Sequence, residues 1–205
     1  MSAPLQPIRG AVRLNVGCGR YPHPDYYNFD HDPEIGRFVE SLGMRFIPAK
    51  AHQLPVPDSS ANVVYASHLL EHYLPEHSTE FGEPTVTELL REWRRVLAPG
   101  GELYVAVPDL LTCCARILTE SKQRGAWKRS LFGFSKRAGD LHQWGYDWDE
   151  LCDLLRRNGF EPLGPFRAFL PNPAGDGYDC AGAHGLDDDG KEIPCSLNVR
   201  ARRPA

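Results

Sequence analysis

The chain has 205 residues, with 23 lysines and arginines against 27 aspartates and glutamates, and its formal net charge is -4. This length fits one domain with a full core, and the acidic balance provides no global basic surface that would attract nucleic acid. No run of about 18 apolar residues predicts a membrane span, and the first residues lack a secretion signal, so we expect no membrane association and a cytoplasmic protein.

The six cysteines are expected to be reduced thiols, because no secretion signal precedes them. Cys113 and Cys114 are adjacent, which is neither a Cys-x-x-Cys spacing nor a geometry that favours a disulfide. We therefore predict no disulfide framework.

The first predicted strand, residues 12–16, is apolar and runs into Gly17, Cys18 and Gly19. Glycines in such a turn allow positive φ and let a ligand approach the backbone closely. Backbone N–H groups in the turn can hold a carboxylate or a phosphate. The pattern indicates either a binding loop or a plain tight turn.

A second strand is predicted at residues 26–29, ending at Asp30, after a segment that contains two prolines. The interval is too short for a crossover helix, so the usual first helix is expected to be missing or vestigial. Asp32 is predicted to cap a helix through Leu42, with Gly43 after its end, and residues 46–47 form a short third strand.

A turn leads into residues 61–67, a β-branched run predicted to be a central strand that ends at Ser67 and His68. The clearest helical pattern has Pro84 in its first turn, an apolar stripe as far as Leu97, and residues 99–101 after its end. We then expect a strand at 103–107 and a helix at 110–118.

Residues 121–137 show no clear period and suggest a mobile surface segment, part of a lid or insertion at about 121–145. Asp147 is predicted to cap a helix that Gly159 ends, and a strand is expected within 160–169. A long loop over about 171–194 should precede a last strand at 197–201.

This order predicts an α/β fold, a doubly wound and mostly parallel Rossmann-like sheet with helices on both faces, formed by one domain over residues 1–205. The chain resembles class I S-adenosylmethionine-dependent methyltransferases of a compact subgroup, over about residues 12–160. The motifs that carry the resemblance are residues 14–19, 28–30, 54–55, 67–72, 93–101 and 107–109.

The resemblance implies S-adenosyl-L-methionine as the cofactor. Gly17, Cys18 and Gly19 would hold its methionine half, and Asp30 would accept hydrogen bonds from the ribose hydroxyls. Asp30 is alternatively a turn or capping residue, since Pro33 follows closely. Its distance from the glycines is shorter than in a dinucleotide fingerprint, which disfavours a nicotinamide enzyme.

One position departs from the family pattern. Lys50 stands where an acidic residue often binds the adenine amino group, and lysine has only donors. Adenine would then be fixed by the backbone near Ala51 and His52 or by another acceptor such as Gln53, or else the affinity for the cofactor is reduced. With Ser67, which follows the central strand, the remaining predicted cofactor-binding residues are Ala51, His52, Gln53 and Leu54.

The predicted catalytic residues are two histidines, because imidazole titrates near neutral pH and can accept a proton from an acceptor group. His68 follows the central strand, just before Glu71 and His72, and His142 lies beside the predicted lid. A helix-start histidine satisfied by backbone is an equal alternative for His68.

The expected reaction is methylation of oxygen or nitrogen on a small-molecule, sugar (glycan) or natural-product acceptor. The alternatives are a non-catalytic cofactor-binding or scaffold protein, which Lys50 hints at, and a nucleotide-dependent oxidoreductase. Homodimerisation is compatible with the sequence, and no nucleic-acid partner is expected. No metal is predicted, since the spacings match no zinc pattern among Cys180, His184 and Cys195, even with His77 or Cys152.

Overall fold

The structure is a computed structural model that describes residues 5–76, 78, 83–133, 140–168 and 182–205. Nine strands occur in this part of the chain: β1 Arg13–Val16, β2 Tyr27–Asp30, β3 Phe46–Pro48, β4 Ala61–Ser67, β5 Leu97–Pro108, β6 Glu161–Pro165, β7 His184–Leu186, β8 Glu192–Pro194 and β9 Ser196–Arg202. The helices are α1 Pro33–Ser41, α2 Val86–Val96, α3 Leu110–Thr119, α4 Arg124–Phe132 and α5 Trp148–Arg157, with a 3-10 turn at Leu70–His72.

Seven of the described strands form one sheet in the order β3-β2-β1-β4-β5-β9-β6. β3, β2, β1, β4 and β5 are parallel, and β9 pairs antiparallel with both β5 and β6. The main core combines strand residues such as Leu14, Val64 and Val105 with Leu89 and Trp93 of α2, all fully buried. The predicted doubly wound, mostly parallel fold is confirmed.

The shortened first connection is also confirmed, since the chain passes from β1 to β2 through turns without a helix. Two buried asparagines organise this connection. The side-chain amide of Asn15 donates to the carbonyl of Tyr21 at 2.9 Å and to Oδ1 of Asn28 at 3.1 Å. Asn28 also accepts from the backbone N–H of His23 at 2.9 Å. These side chains satisfy backbone groups that a helix would otherwise have satisfied.

The bounds of α2 differ from the prediction. Thr85 is its N-cap, and the Thr85 N–H donates to Oε2 of Glu88 at 2.8 Å, so Pro84 precedes the helix instead of lying in its first turn. The helix ends at Val96, because Leu97 is extended and pairs with Ala61. Strand β5 therefore begins six residues before the predicted residue 103.

The expectation of an irregular segment at 121–137 was wrong for α4, which forms a regular helix with Trp127 and Leu131 buried. The expected loop at 171–194 was wrong for its second half, where β7 and β8 form a hairpin that packs on α4. Residues 134–139 and 169–181 lie outside the described residues, and with them the first part of that loop.

Candidate functional site

A cavity of about 780 Å³ opens at the carboxyl ends of β1, β2 and β4. Ligands of open parallel sheets bind at this edge, and the volume lies within the range of small-molecule sites. Its lining comes from the glycine turn, from the loops after β2, β3 and β4, and from two further segments. It consists of Gly17, Gly19, Asp30, His31, Ala49, Lys50, Ala51, His52, His68, Leu69, His72, Tyr73, Glu83, Pro84 and Asp140.

The glycine turn is held against the end of β2. Gly17 and Gly19 have φ values of 65° and 50°, in the left-handed region that favours glycine. A Cβ on Gly17 would come within 2.8 Å of the Leu69 side chain. Cys18 between them is buried outside the cavity lining, its N–H donates to the carbonyl of Phe29 at 3.0 Å, and burial raises the pKa of its thiol well above the usual range.

Asp30 links the glycine turn to the end of β2. Its Oδ2 accepts from the N–H of Gly19 at 3.1 Å, and its Oδ1 accepts from the N–H of Asp32 at 3.0 Å. A carboxylate offers about four acceptor sites, so two remain for a ligand diol. Asp30 thus has the predicted position in the cavity and also the alternative turn role.

The segment after β3 forms a tight turn in which the Gln53 N–H donates to the Lys50 carbonyl at 2.9 Å. Lys50, Ala51 and His52 line the cavity, whereas Gln53 is exposed and outside it. Leu54 is buried, and its N–H donates to Oε1 of Glu92 at 2.6 Å. The cavity therefore includes Ala51 and His52 but not Gln53 or Leu54 of the predicted adenine-binding residues.

His68 lies at the end of β4 with φ 51°, a backbone conformation that is uncommon outside glycine and often found at functional sites. Its Nε2 is 3.0 Å from Oγ of Ser196, and its Nδ1 is 3.4 Å from Oε1 of Glu71. The neighbouring Ser67 does not line the cavity, and its hydroxyl is buried with no hydrogen-bond partner among the described residues.

Glu71 is fully buried behind His68, which lines the cavity. Burial alone would raise its pKa, but the contact with Nδ1 of His68 and attraction to the protonated forms of His68 and His72 lower the pKa below the usual range. The sequence spacing His68-x-x-Glu71-His72 was the available signal for this cluster, although it gave no reason to expect a buried carboxylate.

His142 lies beside Glu71, not in the cavity lining. Its Nε2 is 4.0 Å from Oε1 of Glu71, and its ring stands edge-on to that of His72 with centroids 4.8 Å apart. Burial lowers its pKa below the usual range. The segment that carries it is fixed to the 3-10 turn, since the Gln143 N–H donates to the Glu71 carbonyl at 2.6 Å.

A second concave region of about 650 Å³ is lined by Arg91, Arg94, Arg95, Arg157 and Arg203. It lies where α2 ends and β4 and β5 begin, at the amino ends of these strands. Arg95 is paired with Glu92 at 2.7 Å and Arg157 with Glu76 at 2.9 Å. This region is on the opposite edge of the sheet from the ligand side.

Three of the five residues weighed for a zinc site lie in the described part of the chain. His184 is exposed on β7, Cys195 is buried between α3 and the β7–β8 hairpin, and Cys152 is buried in α5. Cys180 and His77 lie outside the described residues. No helix among the described residues combines the length and the apolar character that a membrane crossing requires.

Residues 14–105 match the model of a methyltransferase domain family. Over 154 residues the chain is 22% identical to an uncharacterized protein of Methanocaldococcus jannaschii, a match that covers 74% of this chain and 64% of that protein. The chain therefore spans less than two thirds of the length of this relative.

Solved structures share the fold. One is a chain from the Haloferax volcanii complex of the Trm112 methyltransferase activator with a methyltransferase, with TM-score 0.62, 15% identity and coverage of 96% of this chain and 83% of that chain. Another is a Burkholderia thailandensis 1,6-didemethyltoxoflavin N1-methyltransferase with its substrate and S-adenosylhomocysteine bound, with TM-score 0.55, 19% identity and coverage of 95% and 72%.

Proposed function

We propose that this chain, whose residues 14–105 match a methyltransferase domain, is a class I S-adenosylmethionine-dependent methyltransferase that methylates oxygen or nitrogen on a small-molecule, sugar or natural-product acceptor. The observation that carries this proposal is the cavity of about 780 Å³, which joins the glycine turn and Asp30 to a histidine-lined wall. A small-molecule acceptor also has a precedent in the Burkholderia structural neighbour.

The cofactor-binding residues are proposed from the donors and acceptors that face the cavity. The glycine turn offers backbone N–H groups and close approach for the methionine half, and Asp30 offers acceptor sites for the ribose hydroxyls. Lys50, Ala51 and His52 flank the position proposed for adenine. The bound cofactor supplies a methyl group that is already activated on a sulfonium, so the protein chiefly aligns the acceptor and excludes water.

His68 is proposed to take the proton of an acceptor hydroxyl or ammonium. It lines the cavity at the end of the central strand, and Glu71 and Ser196 lie within 3.4 Å and 3.0 Å of its two ring nitrogens. These contacts hold the imidazole in one orientation, and because they engage both ring nitrogens, the substrate must displace one of the two partners before His68 can accept its proton. Glu71 does not line the cavity and is a positioning residue for His68.

The experiment is a methyl-transfer assay against a panel of sugars, phenols and amines, followed by His68→Ala on the accepted substrate. We expect turnover to fall by roughly 10²-fold or more, while affinity for S-adenosylhomocysteine stays nearly unchanged. His184→Ala is the matched control, because this histidine is exposed on β7, and it should keep the wild-type rate.

Unchanged turnover in His68→Ala would refute the proton-accepting role. A protein that binds the cofactor, methylates none of the small acceptors and instead methylates a protein or a nucleic acid would refute the proposed substrate class.

A further inference from the structure

Glu71, His72 and His142 bring three potential metal ligands together in the wall behind the cavity. One ligand atom from each side chain lies within 4.8 Å of the others, and no other group of this kind occurs in the described residues. The residues come from the 3-10 turn and from the segment that follows α4, which are about 70 positions apart along the chain.

Both imidazoles are oriented by backbone carbonyls. Nδ1 of His142 is 3.0 Å from the carbonyl of Leu131, and Nδ1 of His72 is 3.3 Å from the carbonyl of Leu141. A carbonyl can only accept, so each Nδ1 carries a proton, and in the neutral imidazole each Nε2 then has the free lone pair. Metal-binding histidines in proteins are commonly fixed in this way by their second nitrogen.

The Glu71 carboxylate has no hydrogen bond of ordinary geometry. Both of its oxygens are buried without a hydrogen-bond partner, and Oε1 lies 3.4 Å from Nδ1 of His68 and 4.0 Å from Nε2 of His142. Buried polar groups in native proteins are normally satisfied, and a buried charge is costly unless it is paired or coordinates a metal. A cation placed between this carboxylate and the two imidazoles would satisfy all three groups.

We propose that Glu71, His72 and His142 bind one divalent transition-metal ion beside the cofactor cavity. Two imidazoles and one carboxylate suit Zn²⁺, Mn²⁺ or Fe²⁺ and leave coordination positions for a further ligand. Ligands of a tetrahedral ion with metal–ligand distances of about 2.1 Å are separated by about 3.4 Å. The ligand atoms of the cluster lie within 4.8 Å of one another, with Glu71 and His142 4.0 Å apart, so metal binding would draw each pair together by up to about 1.4 Å.

The ion has a place in the proposed function, and this step rests on that function. His72 belongs to the cluster and also lines the cavity, so the positions not filled by protein would lie on the side where an acceptor is expected. A hydroxyl bound to a divalent ion would lose its proton more easily, and His68, which lines the same cavity, would take that proton. The acceptor class favoured by the metal is therefore an alcohol, a phenol or a sugar hydroxyl.

Metal binding is tested without cofactor or acceptor. Full-length protein treated with a chelator and then dialysed is titrated with Zn²⁺ and with Mn²⁺, by calorimetry and by the electron paramagnetic resonance signal of free Mn²⁺. We expect saturable binding of one ion per chain. His72→Ala, at a half-buried position, and His142→Gln should each weaken binding by at least roughly tenfold, since even outer contacts of metal ligands change affinity by 10- to 100-fold.

His184→Ala serves as the control and should bind metal as the wild type does, and circular dichroism establishes that each variant is folded. Absence of saturable binding by the wild type, or wild-type affinity in both His72→Ala and His142→Gln, would overturn the metal site. Failure of the metal site can be distinguished from failure of the proposed function. Methyl transfer by metal-free protein at the wild-type rate would support the proposed function and would exclude a role for the ion in it.

Discussion

Asp30 shapes the glycine turn and also presents acceptor sites to the cavity. Asp30→Ala removes the acceptors proposed for the ribose and also the contact to the Gly19 N–H. We expect the affinity for S-adenosylhomocysteine, measured by calorimetry, to fall by about 1 to 3 kcal/mol, the range for hydrogen bonds to charged groups, or roughly 5- to 150-fold.

Asp32→Ala is the matched control for this measurement. Asp32 caps α1, where its Oδ1 accepts from the Glu34 N–H at 2.7 Å, and it does not line the cavity. Its loss should lower the free energy of unfolding by about 1 kcal/mol and leave ligand affinity unchanged. Equal affinity losses in the two variants would mean that Asp30 acts only through the stability of the turn.

The sequence could predict those single residues whose position is determined by their neighbours in the chain. Gly17, Gly19, Asp30 and His68 line the cavity as expected, because a glycine turn or the end of a strand fixes each position within a few residues. The cluster around Glu71 could not be predicted. The cluster forms only because His142 contacts Glu71 and His72, which lie about 70 positions earlier in the sequence, and a local sequence pattern carries no information about such a contact.

At the scale of elements, α3, α4 and the β7–β8 hairpin form a second apolar cluster beside the sheet. Trp127 is its centre: the side chain is fully buried, its Nε1 donates to the Leu186 carbonyl at 3.0 Å, and a Cβ on Gly185 would come within 2.4 Å of its ring. Asp188 at the hairpin turn accepts from the N–H groups of residues 121–123, which fixes the start of α4.

We expect Trp127→Ala to lower the free energy of unfolding by about 3 to 5 kcal/mol, because it leaves a large cavity in a packed cluster. Affinity of the folded protein for S-adenosylhomocysteine should change little, since Trp127 does not line the ligand cavity. The measurements are chemical denaturation and calorimetry.

Phe132→Ala tests the same helix at an exposed position and should change the free energy of unfolding by less than about 0.5 kcal/mol. Similar stability of the two variants would show that α4 does not pack on the hairpin. The sequence did not predict this unit because the apolar residues of α4 follow no clear helical period, and its partner hairpin lies about 60 positions later. By contrast α2, α5 and the parallel strands were predictable, since their apolar periods, caps and terminal glycines are local.

At the scale of the whole molecule, the strand order determines where a ligand can bind. The carboxyl ends of β1, β2 and β4 are neighbours in the sheet, and the loops after them converge on one cavity. Alternating strand and helix patterns were sufficient to predict this arrangement. Homodimerisation stays a prediction. It depends on the complementarity of two surfaces, which the periodic pattern of the sequence does not reveal.

The most direct test of the central claim, that this cavity binds S-adenosylmethionine, is a crystal structure of the protein with S-adenosylhomocysteine. We predict the ribose hydroxyls within hydrogen-bond distance of the Asp30 carboxylate, the methionine half over the Gly17–Gly19 turn, and adenine beside Lys50, Ala51 and His52. Density for the ligand in the arginine-lined region at the other edge of the sheet, or a bound ligand without contact to Asp30 and the glycine turn, would contradict the claim.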